Sequence, residues 1–217
     1  MGVISTARVI TGAERSNRPV SVQPGNREWV TAIDCICADR QSLLLVIIFE
    51  GKVHQSTWYT DNALPGLLES VRMAGQTTYY DVLGLTWLKN VFEKHTAHHT
   101  KGVYRLLILD GHGSHLTPEF DLFCKDHSII TLCMPPHSSH LLQPCDVSFF
   151  TVLKRLYGQQ IQDYMRNRIN HIDKYDFLLA YLITRTQAAS IANIQSGFAA
   201  TGLVLHDPER VLSKLYT

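Results

Sequence analysis

Short apolar runs broken by glycine, proline and polar residues fill the first two thirds of the chain, whereas apolar residues at helical spacing fill the last third. The alternating stretches predict an amino-terminal hairpin from residues 3–10 and 20–22, then strands near residues 29–38 and 43–49. Leu85, Leu88, Val91 and Phe92 share one face of a predicted helix over residues 85–92. Residues 104–109 form an apolar run too short for a helix and stopped by glycines, which predicts a buried strand. After Pro118, Phe120, Phe123, Cys124 and His127 keep helical spacing, and they lead into a second apolar run at residues 129–134, closed by Pro135-Pro136. This is a strand, crossover helix and parallel strand, whose right-handed hand puts both carboxyl ends on one edge. Phe150, Leu153, Tyr157, Ile161 and Tyr164 define the next helix, and Phe177, Leu178, Tyr181 and Leu182 the apolar face of another.

That order is α/β: strands, a βαβ unit, then terminal helices. It places one carboxylate, Asp110, at the carboxyl end of a strand, where open α/β sheets bind ligands. Pro144 suits a first helical position, so Asp146 falls in a first turn, where the positive end of the helix favours its ionised form. The loop over residues 137–143 leaves the neighbouring strand on the same edge as Asp110. Two carboxylates converging there suit a hard divalent cation. The bland alternative is that Asp146 is an ordinary first-turn acid and Asp110 merely ends a strand.

The segments Leu107-Ile-Leu-Asp-Gly-His-Gly-Ser-His115 and Met134-Pro-Pro-His-Ser-Ser-His-Leu-Leu-Gln-Pro-Cys-Asp-Val-Ser-Phe-Phe150 resemble the second and third acidic motifs of the DDE superfamily endonucleases, specifically those of pogo-like transposases and domesticated relatives such as centromere protein B. Trp29-Val-Thr-Ala-Ile33, Ile47-Ile-Phe-Glu-Gly-Lys52 and Asn193-Ile-Gln-Ser-Gly-Phe-Ala-Ala-Thr-Gly-Leu203 resemble further landmarks of that domain. The resemblance implies an RNase H-like fold with a mixed central sheet and flanking helices. It implies one domain over residues 1–217, with a sheet-bearing core to residue 150 and a helical part over 151–217. It also implies a nuclear protein that acts on DNA, with a homodimer as a possible assembly and no membrane. In such a domain three carboxylates hold two Mg²⁺ or Mn²⁺ ions that cut and rejoin DNA. Asp110 then corresponds to the second acid and Asp146 to the third, with residues 111–145 between them.

The first acid of the family lies in a strand immediately before the stretch that Met1-Gly-Val-Ile-Ser-Thr6 resembles, so the chain is expected to start just after it, to lack the first strand and to be catalytically impaired as given. Asp34, on the apolar run over residues 29–36, is the nearest substitute, although a solvent-facing or hairpin-satisfied Asp is the expected state. Residues 62–81 depart from the family pattern of a strand and a Ser-x-Asn-Gly-Trp-Thr-like turn. Suitable codons for residues 72–79, read two nucleotides later, spell Asn-Gly-Trp-Thr-Asn-Asn, which predicts a frameshifted remnant.

Composition adds bounds. At 217 residues and 45% hydrophobic content, one sizeable core is the default. A net charge of +1 leaves DNA binding to local basic linings. Lys154 and Arg155, with Arg166, Arg168 and Arg185, are candidates to track phosphates, against a reading as solvated helix faces. The five cysteines, an odd count without paired short spacings, suggest free thiols in a reducing compartment. Cys35 and Cys37 alternate on one strand face, while Cys124, Cys133 and Cys145 read as small core residues. No apolar run has the length of a membrane span. His112 and His115 with Asp110, closed by His137 and His140, offer a zinc-dependent hydrolase as the alternative chemistry. In the pogo-like reading these histidines are auxiliary loop residues beside the acids, and His95, His98 and His99 mark an exposed helix end.

Overall fold

The computed structural model describes residues 30–50, 68–74, 79–110, 117–169 and 171–215. The hairpin expected over residues 3–22 lies outside them, as do His112 and His115.

The apolar run near residue 45 becomes the central strand of a three-stranded sheet. In it β2 (Leu45–Glu50) pairs antiparallel with β1 (Val30–Ile33) and parallel with β3 (Leu68–Ala74). Both faces of β2 are covered, which is why its apolar residues are uninterrupted. Leu45, Ile47 and Phe49 pack with Tyr157, Ile161, Phe177 and Leu178, and Val46 and Ile48 pack with Leu83, Trp87, Leu107 and Phe120. The carboxyl-terminal helices therefore share a core with the sheet. β3 also shows that the atypical segment over residues 62–81 carries a strand, followed from residue 79 by α1 (Tyr79–Trp87).

The helix expected over residues 85–92 is longer and changes pitch. α1 passes into a π-helical turn, Leu88–Glu93, and then a short α2 (Lys94–Thr96). Leu88, Val91 and Phe92 are buried as the spacing predicts.

The βαβ unit forms as expected. β4 (Arg105–Leu109) and β5 (Ile129–Cys133) are parallel, with Arg105 opposite Ile129 and Leu109 opposite Cys133. α3 (Pro118–Asp126) crosses between them, capped by the Thr117 hydroxyl, which accepts from the Phe120 amide at 3.3 Å. The expectation of a buried strand needs correction, because only one face is covered. Leu107 and Leu109 enter the core, whereas Leu106, Ile130 and Leu132 are 53%, 51% and 41% exposed. Cys133, expected in the core, is exposed at the end of β5.

After β5 come α4 (Ser139–Leu142), a π-helical turn at Cys145–Phe149, and α5 (Phe150–Arg166). α6 (Lys174–Ala188) starts with a reciprocal capping box between Asp173 and Asp176. α7 (Ile191–Ala200) and α8 (Glu209–Leu215) complete the described chain. Phe149, Leu153, Ile194 and Phe198 hold α5 and α7 together over Ile36.

Candidate active site

Asp110 follows the last residue of β4 and is exposed. The ladder beside it extends one step past β5, since the Met134 amide donates to the Leu109 carbonyl at 2.9 Å. The chain then turns away through Pro135-Pro136. His137 takes a left-handed backbone (φ 62°), and the Ser138 hydroxyl and amide both bond the Pro135 carbonyl, at 2.7 and 3.2 Å. α4 leads to Gln143 and Pro144, and the next turn carries Asp146, as the proline position predicts. The difference is in pitch, because this first turn is π-helical rather than α-helical. The amides of Asp146 and Val147 both donate to the Gln143 carbonyl, at 3.0 and 3.1 Å.

α7 clamps that turn. The Ser148 hydroxyl donates to the Asn193 carbonyl at 2.7 Å. Gly197 lies so close that a Cβ on it would sit 2.6 Å from the Pro144 carbonyl oxygen. A glycine is needed there for close approach of the two backbones.

A cavity of about 1150 Å³ opens between β1 and β4. Asp110 lines it, and so do Gln143, Pro144 and Cys145, so the strand end and the chain just before Asp146 meet at one space. Asp146 itself, half-buried, is not part of that lining. The Gln143 Oε1 atom is buried without a hydrogen-bond partner. A buried acceptor left unmatched is a position where an ion or a water can bind. Burial also pushes the neighbouring Cys145 thiol up to about 12.

Asp34 also reaches this cavity, but its surroundings overturn the expectation of a solvent-facing or hairpin-satisfied residue. Its carboxylate is 0% exposed and is gripped by α6: Arg185 Nε donates at 2.5 Å to Oδ1, and the Tyr181 hydroxyl donates at 2.6 Å to Oδ2. Arg185 Nη2 also donates to the Leu43 carbonyl at 2.6 Å. Arg185 is therefore neither a phosphate contact nor a solvated surface residue; at 2% side-chain exposure it is a buried partner. Sequence reasoning missed this pair, although Phe177, Leu178, Tyr181, Leu182 and Arg185 continue one helical stripe that a surface arginine would have broken. Burial, the Asp34 charge and the hydrogen bond to it all push the Tyr181 hydroxyl strongly up.

The remaining candidates are scattered. His140 is exposed on α4, and His137 on the loop before it. Among the described residues no three His, Cys, Asp or Glu side chains are grouped to hold a metal ion. Lys154 and Arg155 are exposed on α5, with Arg155 3.4 Å from Gln159 Oε1. Arg166 pairs with Asp163 at 3.0 Å, and Arg168 is exposed where the helix ends. No helix among the described residues is long and apolar enough to cross a membrane.

Residues 26–198 match the family model of the DDE superfamily endonucleases. The chain is 43% identical over 215 residues to a protein of Cochliobolus lunatus named MFS-type transporter clz9, covering 99% of this chain and 23% of that one. It is 49% identical over 59 residues to Chaetoglobosin A biosynthesis cluster protein C of Chaetomium globosum, covering 27% of this chain and 14% of that one. A weaker similarity, 23% over 176 residues, relates it to the human Pogo transposable element with ZNF domain, covering 81% of this chain and 12% of that one. The chain thus spans about a quarter or less of the length of these relatives. No solved structure matches it.

Proposed function

This chain belongs to the DDE superfamily endonucleases, and from that premise we propose that it is a pogo-like transposase domain of RNase H-like fold in which Asp110 and Asp146 are ligands of a two-metal site that cuts DNA. The observation that carries this reading is the convergence of Asp110 and the Gln143–Cys145 stretch on one cavity. The donor set suits Mg²⁺ or Mn²⁺: carboxylate oxygens, with Gln143, whose Oε1 is buried and unmatched, lining the same cavity as Asp110 and able to ligate an ion or accept from its water. Such ions activate the attacking oxygen and stabilise the leaving one.

The chain's own residues have distinct parts in this scheme. The β4–β5 ladder fixes the backbone before Asp110, and α7 holds the turn of Asp146 through Ser148 and Gly197. Lys154 and Arg155 on the exposed face of α5 contact DNA phosphates. The space between β1 and β4 receives an Asp-bearing strand, which joins the two sheets into one and supplies the first acid. The domain acts in the nucleus as part of a longer protein, as a homodimer on DNA.

Each anionic oxygen adds affinity for a hard cation, so two carboxylates alone hold the ions weakly. Residues 1–217 by themselves therefore nick supercoiled DNA slowly with Mn²⁺. Adding an upstream Asp-bearing strand raises the rate, and Asp110→Ala or Asp146→Ala in that extended protein removes it. Cleavage indifferent to both substitutions overturns the assignment. Zinc retained by the purified protein would favour a hydrolase built on the histidine cluster instead.

A further inference from the structure

Past β1 the chain makes a tight return in which Ile36 pairs with Ser42. The Leu43 amide donates to the Cys35 carbonyl at 2.9 Å, and the Cys37 amide donates to the Gln41 carbonyl at 2.7 Å. Extended backbone alternates its side chains, so Cys35 and Cys37 point to one side and Ile36 to the other. The packing agrees: Ile36 joins Phe149 and Leu153, whereas both cysteines pack against the cluster containing Leu83, Trp87 and Leu107. Both residues line the large cavity, and both are free cysteines.

We propose that Cys35 and Cys37 are a redox modification site, a dithiol that hydrogen peroxide converts to an intrachain disulfide and that a thiol such as glutathione reduces again. Cys35 S–H donates to the Ile36 carbonyl at 3.9 Å, and the two thiols are near enough that each shifts the titration of the other. The interaction of the pair lowers the Cys37 thiol from its ordinary value despite burial and Asp39, and raises Cys35 well above its own, where burial and Asp34 push in the same direction. Cys37, the less enclosed of the two, is thus the nucleophile and Cys35 the resolving thiol.

The Cys37 thiolate attacks one oxygen of the peroxide; the S–O bond forms, the O–O bond breaks, and the departing hydroxide becomes water with the proton Cys37 released. Cys35 sulfur then attacks the Cys37 sulfenic sulfur. The S–S bond forms, the S–O bond breaks, and hydroxide leaves as a second water with the Cys35 proton. Two thiols are oxidised and one peroxide is reduced. Alternate residues of an extended chain lie roughly 6.5 Å apart, near the upper limit of Cα separation that a disulfide spans. A bond closed at that limit is strained and easily reduced.

The test uses the whole 217-residue chain, treated with hydrogen peroxide and analysed by intact mass and peptide mapping after alkylation. The expected product lacks two hydrogens, maps to the peptide holding Cys35 and Cys37, and regains them in reduced glutathione. In Cys35→Ser, dimedone is expected to label Cys37 as the sulfenic acid, and to do so before it labels exposed Cys133. In Cys37→Ser, Cys35 is expected to stay unmodified. Oxidation confined to Cys133, a bridge that joins Cys145 to either residue, or equal labelling of Cys35 and Cys37 in the two serine variants would overturn the proposal.

Discussion

Asp34 and Asp110 both reach the cavity between the two sheets, and they meet opposite surroundings. The Asp34 carboxylate is fully enclosed, with an arginine and a tyrosine from α6 directed at its two oxygens. Asp110 stands exposed at the end of β4, beside a loop whose glutamine has an unmatched buried oxygen. An enclosed, paired carboxylate ties elements together, and its removal is felt as lost stability. A carboxylate at the open end of a strand is accessible to a cation, so on the proposed reading the removal of Asp110 is felt in chemistry. On the proposed reading, the same residue type on one cavity divides between holding the fold and serving the reaction.

The largest effect expected is on the chemical side. In a form extended by an Asp-bearing strand, Asp110→Ala or Asp146→Ala should lower Mn²⁺-dependent nicking by on the order of a thousandfold, the scale of losing a group that stabilises transition-state charge, while moving the urea midpoint little. A large loss of stability with nicking retained would erase the contrast with Asp34.

Next in size is the buried pair. Arg185→Met leaves Asp34 charged and enclosed without its main partner, and should cost about 3 to 5 kcal/mol in urea denaturation. Adding Asp34→Leu to it should recover most of that loss, because a buried ion pair replaced by apolar residues is often neutral. If the double variant were as unstable as the single one, the pair would not be the unit that matters.

Gly197→Ala sharpens the comparison at the clamp. Its methyl group must displace the Pro144 carbonyl or α7, at a cost of roughly 1 to 3 kcal/mol, and should also slow nicking by shifting the turn that bears Asp146. Thermal melting and nicking rate, measured on the same variant, report the two consequences separately.

The smallest effect is on the alkaline limb of stability. Burial, with Asp121 nearby, raises the Cys124 thiol to about 11, opposed by Arg105. A group whose folded pKa lies above its unfolded value of about 8.5 contributes stability that is fully present below that pH and is lost as pH rises through about 11. Cys124→Ala should flatten that part of the melting curve between pH 9 and 11, and Cys133→Ala, at an exposed site, should leave it unchanged.

The βαβ unit and the turn of Asp146 were legible in the sequence because local signals determine them: Pro118 and Thr117 at a helix start, Pro135-Pro136 at a strand end, Pro144 before a first turn. The Asp34 lock was not, because its partner lies 151 positions away and no local period records what α6 brings to β1. The outer face of β4 and β5 misled in the other direction. A run such as residues 104–109 reads as buried on both sides, yet burial depends on whether another layer covers the strand, and here Leu106 and Ile130 are left exposed. The atypical residues 62–81 gave no strand signal of the family kind, and β3 forms there by backbone pairing with β2.

The π-helical turn at Cys145–Phe149 holds one residue more than an α-helical turn needs. The surplus makes this point of the chain unusually sensitive to a change in length. Deleting Val147 would let the turn close as an α-helix continuous with α5, keeping Leu153, Tyr157 and Ile161 in their present core. Because the wide turn already absorbs the surplus residue, the chain on either side of the deletion would keep its register, and the change would be confined to the turn itself. Asp146, inside that turn, would be re-aimed while the chain on both sides stayed where it is, so a single lost codon would separate the placement of this carboxylate from the integrity of the fold.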